Sequence, residues 1–133
     1  MEREQDVDEQ LRKQADLVHV WTGGAGDTFQ FRFVNASSRP VTRVVVEVDL
    51  VLVDEDAHQQ LLHETLGLVM LPPTGDRPAR WKLDNLTRYH PDDEDLPTGW
   101  TLARAEVTAL AFRDADGRVW RRTLPDGALQ QLD

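Results

Sequence analysis

The stretch from Arg43 to Val53, RVVVEVDLVLV, restricts the fold of this chain more than any other part of its sequence. Successive side chains of a β-strand point to opposite faces, so an apolar residue at every second position predicts a strand with one buried face. That face consists of Val44, Val46, Val48, Leu50 and Leu52. The many β-branched side chains favour the same structure. The stretch therefore predicts a long, half-buried strand.

Weaker copies of this alternating pattern lie before and after it, separated by turn residues. With the first stretch included, the predicted strands are residues 17–22, 28–34, 43–53, 61–71, 79–83, 100–113 and 119–124, followed by a tail from 125 to 133. Short strands with turn signals at intervals of roughly 8 to 16 residues are typical of an immunoglobulin-like sandwich. We therefore predict an all-β fold, an immunoglobulin-like antiparallel β-sandwich of about seven strands covering residues 17–133.

The strand predicted at 100–113 has two candidate buried faces. Val107, Ala109 and Ala111 form one, and Leu110 and Phe112 form the other. An extra residue in one strand of a pair, a β-bulge, bends the strand and re-aims its side chains. We therefore expect a bulge within this strand.

Residues 1–16 are predicted to form a short α-helix ahead of the sandwich. Val7, Leu11 and Ala15 recur at helical spacing and make a narrow apolar stripe between charged residues. A helix this short and polar is marginal by itself. Three interpretations stay open: the helix packs on the sandwich, it associates with a partner or a second copy, or part of it is disordered.

Composition limits the partners and the chemistry. The 133 residues are the size of one ordinary domain, and the formal net charge is −9. Binding to nucleic acid depends on Lys and Arg at the phosphates, so this acidic composition argues against it. The chain has no cysteine, which excludes disulfides, thiolate metal sites and cysteine nucleophiles.

We expect no signal peptide within this sequence. Its polar N-terminus is unlike a signal peptide, and no run approaches the roughly 20 apolar residues that span a bilayer. We expect no membrane span in this chain and a cytoplasmic location. A membrane-associated location is expected instead if a spanning segment precedes Met1.

Three motifs that suggest ligand chemistry have a simpler structural interpretation. GGAGD at Gly23–Asp27 lacks the Lys and the helix of a phosphate loop, and the DxDG of Asp114–Gly117 lacks the further ligands of a calcium loop. Both predict hairpin turns, the second closed by its glycine. His58 and His63 are not spaced as a helical zinc site. We predict no catalytic residue, no metal site and no cofactor.

The longest irregular stretch, residues 84–99, carries the candidate interaction patch. With the tryptophan that follows, the patch consists of Tyr89, His90, Asp92, Asp93, Glu94, Asp95 and Trp100. Aromatic side chains are common anchors of contact surfaces. We interpret the acidic run as a solvated loop, with a weak calcium site or a docking surface for a basic partner as alternatives.

The order of segments along the chain resembles a known group. A polar N-terminal segment runs into QADLVHVW, and NASSRPV, the Val-rich strand, LPP and AFRDADGRVWRRTLPDGAL follow. This order resembles small, uncharacterised actinobacterial proteins with an immunoglobulin-like C-terminal domain, over about residues 10–131. In that group the helix often follows a membrane-spanning segment. The resemblance implies the same fold and a binding or scaffolding role, and it implies no substrate.

The sequence favours a non-enzymatic protein-interaction module of unknown partner. The first alternative is a small-ligand or carbohydrate-binding sandwich that uses exposed members of the set Trp21, Trp81, Trp100 and Trp120. Most of these are expected in or beside the core, with Trp100 the first candidate for exposure. The second alternative is an enzyme that pairs carboxylates of the acidic loop with Asp84.

Overall fold

The protein is described by a computed structural model, which covers residues 12–24, 29–75, 77–82, 87–88 and 100–132. Nine strands lie within these ranges. They are β1 Val18–Gly23, β2 Gln30–Asn35, β3 Val41–Val53, β4 Gln59–Leu71, β5 Ala79–Trp81, β6 Thr87–Arg88, β7 Thr101–Arg113, β8 Val119–Thr123 and β9 Ala128–Gln131. In the described part of the chain, no helix is long and apolar enough to cross a membrane.

The strands form two antiparallel sheets. One sheet has the order β1-β2-β5 and the other the order β6-β4-β3-β7-β8-β9. In immunoglobulin lettering, β1, β2 and β5 correspond to strands A, B and E, and β4, β3, β7 and β8 correspond to C′, C, F and G. These seven strands confirm the predicted antiparallel β-sandwich, and β6 and β9 extend the edges of the larger sheet.

The core lies between the two sheets. All five side chains on the predicted buried face of β3 have 0% exposure. Phe31 and Phe33 of β2 belong to the same apolar cluster and come from the opposite sheet. Phe33 also packs edge-on against Trp81 of β5, with 5.5 Å between the ring centroids. The alternation in the Val-rich stretch therefore predicts the buried face of β3 correctly.

A bulge in β7 changes the face that this strand buries, as the sequence predicts. The register of β3 against β7 shifts between Glu47 and Val48, which leaves Thr108 as the extra residue of β7. Val107 is buried before the bulge, and Leu110 is buried after it. Both candidate faces of this segment therefore contribute to the core.

The predicted tail from residue 125 is wrong for Ala128–Gln131, which form β9. This strand pairs with β8, and its side chains are mostly exposed. The sequence of β9, ALQQ, shows no apolar alternation, so the sequence pattern does not reveal this strand. The same reason applies to β6, which has two residues.

Residues 12–15 are helical and are followed by a turn that leads into β1. Ala15 is fully buried in the sandwich core, and its carbonyl oxygen accepts a hydrogen bond from Arg122 Nη2 at 3.1 Å. Val7 and Leu11, the other residues of the predicted stripe, lie outside the described residues. The position of Ala15 favours a helix that packs on the sandwich.

Candidate functional site

The interaction patch predicted from the sequence is described at one residue. Trp100 is half-buried and packs against the core. The members outside the described residues are Tyr89, His90, Asp92, Asp93, Glu94 and Asp95, and Asp84 of the enzyme hypothesis is also outside them. The patch therefore stays a prediction, and the site below is built from other residues.

Among the tryptophans, Trp21 is the most exposed. Its side chain is 40% exposed, whereas Trp120 is 3% exposed and Trp81 and Trp100 pack against the core. Trp21 follows the buried Val20 in β1, so it points away from the core. Tryptophan is enriched at protein interfaces, so Trp21 marks the outer face of the three-stranded sheet as a candidate contact surface.

Trp21 belongs to a row of side chains across that outer face. In the register of the sheet Trp21 lies opposite Arg32, and Arg32 lies opposite Arg80. Residues directly opposite each other in an antiparallel pair have Cβ atoms about 4.5 to 5.5 Å apart on the same face. We call Trp21, Arg32 and Arg80 the cationic face.

Within the described strands of this sheet, the formally charged side chains are all arginines. No residue of β1, β2 or β5 is Asp or Glu, and no ion pair joins Arg32 or Arg80 to another described side chain. Arg77 and Lys82, exposed on either side of β5, add two more cations. Like charges directly opposite each other destabilise a sheet. The arrangement therefore works against folding, and it does so in a chain whose net charge is −9.

The outer face of the six-stranded sheet is organised differently. There, basic side chains lie against carboxylates of another strand. Arg121 Nη2 lies 2.7 Å from Glu47 Oε2, and His63 Nδ1 lies 2.7 Å from Asp49 Oδ1. Carboxylate partners are therefore present on the outer face of the six-stranded sheet, and the arginines of the cationic face have none among the described residues.

The side chain of Arg32 is positioned by Gly23 of β1. A Cβ atom at Gly23 would lie 3.1 Å from Arg32 Cζ and Nη2 and 3.2 Å from Nε, so the guanidinium rests against the glycine backbone. A side chain at this position would force the guanidinium to move. Arg32 Nε is buried and has no hydrogen-bond partner among the described residues. Burying a donor in this way costs free energy in the folded protein.

His19 lies on the same outer face, two residues before Trp21 in β1. Partial burial and the positive charge of Arg122 lower the pKa of His19, against a smaller opposite effect of Asp16. A histidine with a lowered pKa is neutral at pH 7. His19 therefore adds no charge to the cationic face at neutral pH.

The DxDG stretch forms the predicted hairpin turn. One carboxylate oxygen of Asp114 accepts hydrogen bonds from the backbone N–H groups of Asp116 and Arg118, and the other accepts from Trp120 Nε1 at 2.8 Å. Gly117 has a φ of 88°, as a glycine in this turn requires. Both carboxylate oxygens of Asp114 thus accept hydrogen bonds from the protein, which supports a hairpin turn over a calcium loop.

A second group of metal-ligand type lies in the turn between β3 and β4, where the sequence predicts a polar hairpin loop at residues 54–60. Ligand atoms of Asp54, Asp56 and His58 lie within 4.8 Å of one another. One oxygen of Asp54 accepts hydrogen bonds from the backbone N–H groups of Asp56 and His58, and the other lies 3.1 Å from His58 Nδ1. These hydrogen bonds stabilise the turn and account for the closeness of the three side chains. We therefore assign no metal to this cluster.

A polar network supports one end of the sandwich. Asn35 is fully buried, and its side-chain nitrogen donates to the carbonyl oxygens of Arg39 and Leu71 at 2.9 and 3.1 Å. Gln14 of the helical turn donates to the Ser37 hydroxyl at 3.1 Å. A shallow groove of about 400 Å³ lies beside these residues. Its polar groups bond one another, so we assign it a structural role.

Comparison with known proteins adds no relative: no family model, no curated protein and no solved structure matches the chain. The resemblance to the actinobacterial group therefore stays a prediction. Sequence reasoning also missed the cationic face. Trp21, Arg32 and Arg80 each occupy an outward position of their own strand, and only the strand register brings the three together.

Proposed function

We propose that the protein is a non-enzymatic protein-interaction module that binds an acidic segment of a partner protein on the cationic face. The observation that carries this proposal is the cross-strand pair of Arg32 and Arg80, neither of which forms an ion pair with a described carboxylate. Carboxylates of a partner would offset the repulsion between the two guanidinium groups. Functional surfaces are the places where a fold tolerates such a local cost.

Trp21 supplies the apolar part of the proposed surface. A partly exposed tryptophan beside arginines combines a large contact area with charge, and both residue types are frequent binding hot spots. Because the attraction between this face and an acidic segment is electrostatic, binding is expected to weaken as salt increases.

Protection of the sheet edge is the simpler explanation for part of this surface. Charged residues on an edge strand discourage pairing with other chains. This explains Arg80 and Lys82, which lie on or beside the edge strand β5. It does not explain Arg32, because β2 is the central strand of its sheet. The position of Arg32 therefore favours binding over edge protection alone.

A calorimetric titration with a synthetic peptide of alternating glutamate and apolar residues tests the proposal. We expect binding to the wild-type protein and a loss of about ten-fold or more in affinity for Arg32→Gln and Arg80→Gln. Arg104→Gln is the matched control, because Arg104 is exposed on β7 and has no ion pair among the described residues. Equal affinity for all four proteins would contradict the proposal.

Carbohydrate binding is a second candidate, favoured by the 40% exposure of Trp21. Sugars stack on aromatic rings without needing the arginines. Under this alternative, Trp21→Ala would abolish binding to an oligosaccharide panel whereas Arg80→Gln would not change it. Loss of peptide binding in the arginine variants together with no sugar binding would exclude it.

A further inference from the structure

We infer that the cationic face seats a doubly charged oxyanion and that the partner segment carries it as a phosphate monoester. This inference rests on the proposed function and names the chemistry of the partner. A phosphorylated side chain carries a charge of about −1.5 to −2 at pH 7 and three strong acceptor oxygens, whereas a carboxylate carries one charge. Two arginines without a described counter-ion match the charge of the phosphate group.

The geometry of Arg32 supports an anion of this kind. The guanidinium lies against the Gly23 backbone and its Nε is buried, so packing restricts the positions that the group can take before any ligand binds. A restricted guanidinium loses less conformational entropy on binding than a free side chain does. Its remaining N–H groups form strong, charge-assisted hydrogen bonds with phosphate oxygens.

Arg80 supplies the second charge. It lies directly opposite Arg32 in the register and is exposed, so its long side chain can move onto an anion seated beside Arg32. Repulsion between the two arginines disfavours the unbound state and is relieved when a dianion lies between them. A single carboxylate would leave one positive charge without a partner.

The presence of arginine at these two positions is not by itself evidence for phosphate binding. Only Lys13 and Lys82 among the fifteen basic residues are lysines, so arginine is the common basic residue throughout the chain. The cross-strand placement of Arg32 and Arg80, and the glycine that gives Arg32 its position, are the features that single out this pair.

The test compares three versions of one synthetic peptide, with phosphoserine, glutamate or serine at the central position, by calorimetric titration. We expect the phosphoserine peptide to bind about ten-fold or more tightly than the glutamate peptide. This preference should disappear in Arg32→Gln and Arg80→Gln and persist in Arg104→Gln. Arg32→Lys, which keeps the charge but loses the planar fork, should retain only part of it.

Gly23→Ala tests the positioning of Arg32 without removing a charge. The new methyl group displaces the guanidinium, so the preference for phosphoserine should fall while circular dichroism shows the same fold. An unchanged preference would show that the resting position of Arg32 does not contribute and would overturn that step of the inference.

The outcomes separate this inference from the proposed function. Equal affinity for the phosphoserine and glutamate peptides would overturn the phosphate inference and keep the acidic-partner proposal. No binding of either peptide would overturn both. Binding to vesicles that contain a phosphoinositide, with no binding of the phosphoserine peptide, would assign the face to a lipid headgroup and also overturn the inference.

Discussion

Two hairpin turns at opposite ends of the six-stranded sheet have the same backbone pattern and different surroundings. Residues 54–58 join β3 to β4, and residues 114–118 join β7 to β8. In each turn the first residue is an aspartate whose Oδ1 accepts the backbone N–H groups two and four positions later. The distances are 3.0 and 2.8 Å in the first turn and 3.0 and 2.9 Å in the second.

The difference lies in what the second carboxylate oxygen contacts. In the turn at 114–118, Oδ2 of Asp114 accepts a hydrogen bond from Trp120 Nε1, and these residues are only 5% and 3% exposed. In the turn at 54–58, Oδ2 of Asp54 faces His58, whose side chain is 73% exposed. The shared Asp-x-Asp pattern therefore builds the same turn, and the surrounding structure determines how much the turn contributes to stability.

The largest expected effect comes from removing the two aspartates separately. Asp114→Ala removes the acceptor for two backbone N–H groups and leaves the Trp120 indole N–H buried without a partner, so we expect a loss of about 3 kcal/mol in the free energy of unfolding. Asp54→Ala leaves its donors accessible to water, so we expect a loss of about 1 kcal/mol or less. Urea denaturation followed by tryptophan fluorescence measures both.

A double-mutant cycle controls this comparison. Trp120→Phe removes the indole donor, so adding Asp114→Ala to it should cost clearly less than Asp114→Ala costs in the wild-type protein. Equal losses for Asp114→Ala and Asp54→Ala would show that burial does not separate the two turns.

Substitutions at the fourth position of each turn should change stability by smaller amounts, and in opposite directions in the two turns. Gly117 and Ala57 both have a left-handed φ, of 88° and 63°. A Cβ at Gly117 would meet nothing within 4 Å, so Gly117→Ala should cost about 1 kcal/mol through the backbone alone. Ala57→Gly should be neutral or stabilise by up to about 1 kcal/mol, because relief of strain exceeds the added entropy of the unfolded chain.

Thermal and urea denaturation of Gly117→Ala and Ala57→Gly measure these changes. Ala57→Ser keeps a Cβ and serves as the control with no expected gain. Destabilisation by Ala57→Gly that equals the cost of Gly117→Ala would mean that the two positions do not share the left-handed conformation.

The two turns also show how far the sequence predicts the fold. The Asp-x-Asp-Gly stretch predicts the turn at 114–118 because glycine marks the left-handed residue. The turn at 54–58 has alanine at that position, so its polar composition predicts a hairpin loop at residues 54–60 without marking the left-handed residue. In the same way, strong apolar alternation predicts β3, whereas β9, which shows none, was predicted as tail.

The cationic face was not predicted because it depends on register. Trp21, Arg32 and Arg80 are far apart in the sequence, and each occupies an ordinary outward position of its own strand. The sequence contains one usable signal, which is the lack of Asp and Glu throughout β1, β2 and β5 in an acidic chain. This lack of acidic residues, combined with the expected pairing of the three strands in one sheet, indicates a face without carboxylates.

The smallest expected effect concerns the pH dependence of stability that comes from His19. The pKa of His19 is lowered by partial burial and by Arg122. Between that lowered pKa and the ordinary value of about 6.5, the unfolded chain binds more protons than the folded protein. Above neutral pH, His19 is neutral in both states and does not affect the free energy of unfolding. As the pH falls through about 6.5, protonation of His19 in the unfolded chain lowers the free energy of unfolding.

Urea midpoints at pH 7.5 and pH 5.5 (about one unit on either side of the ordinary histidine pKa) test this sign in the wild-type protein and in His19→Gln. The wild-type protein should lose more stability on acidification than the variant, because glutamine does not titrate. All other side chains are the same in both proteins, so their contribution cancels in the difference. Equal losses would mean that the partial burial of His19 and the charge of Arg122 do not disfavour its protonation in the folded state.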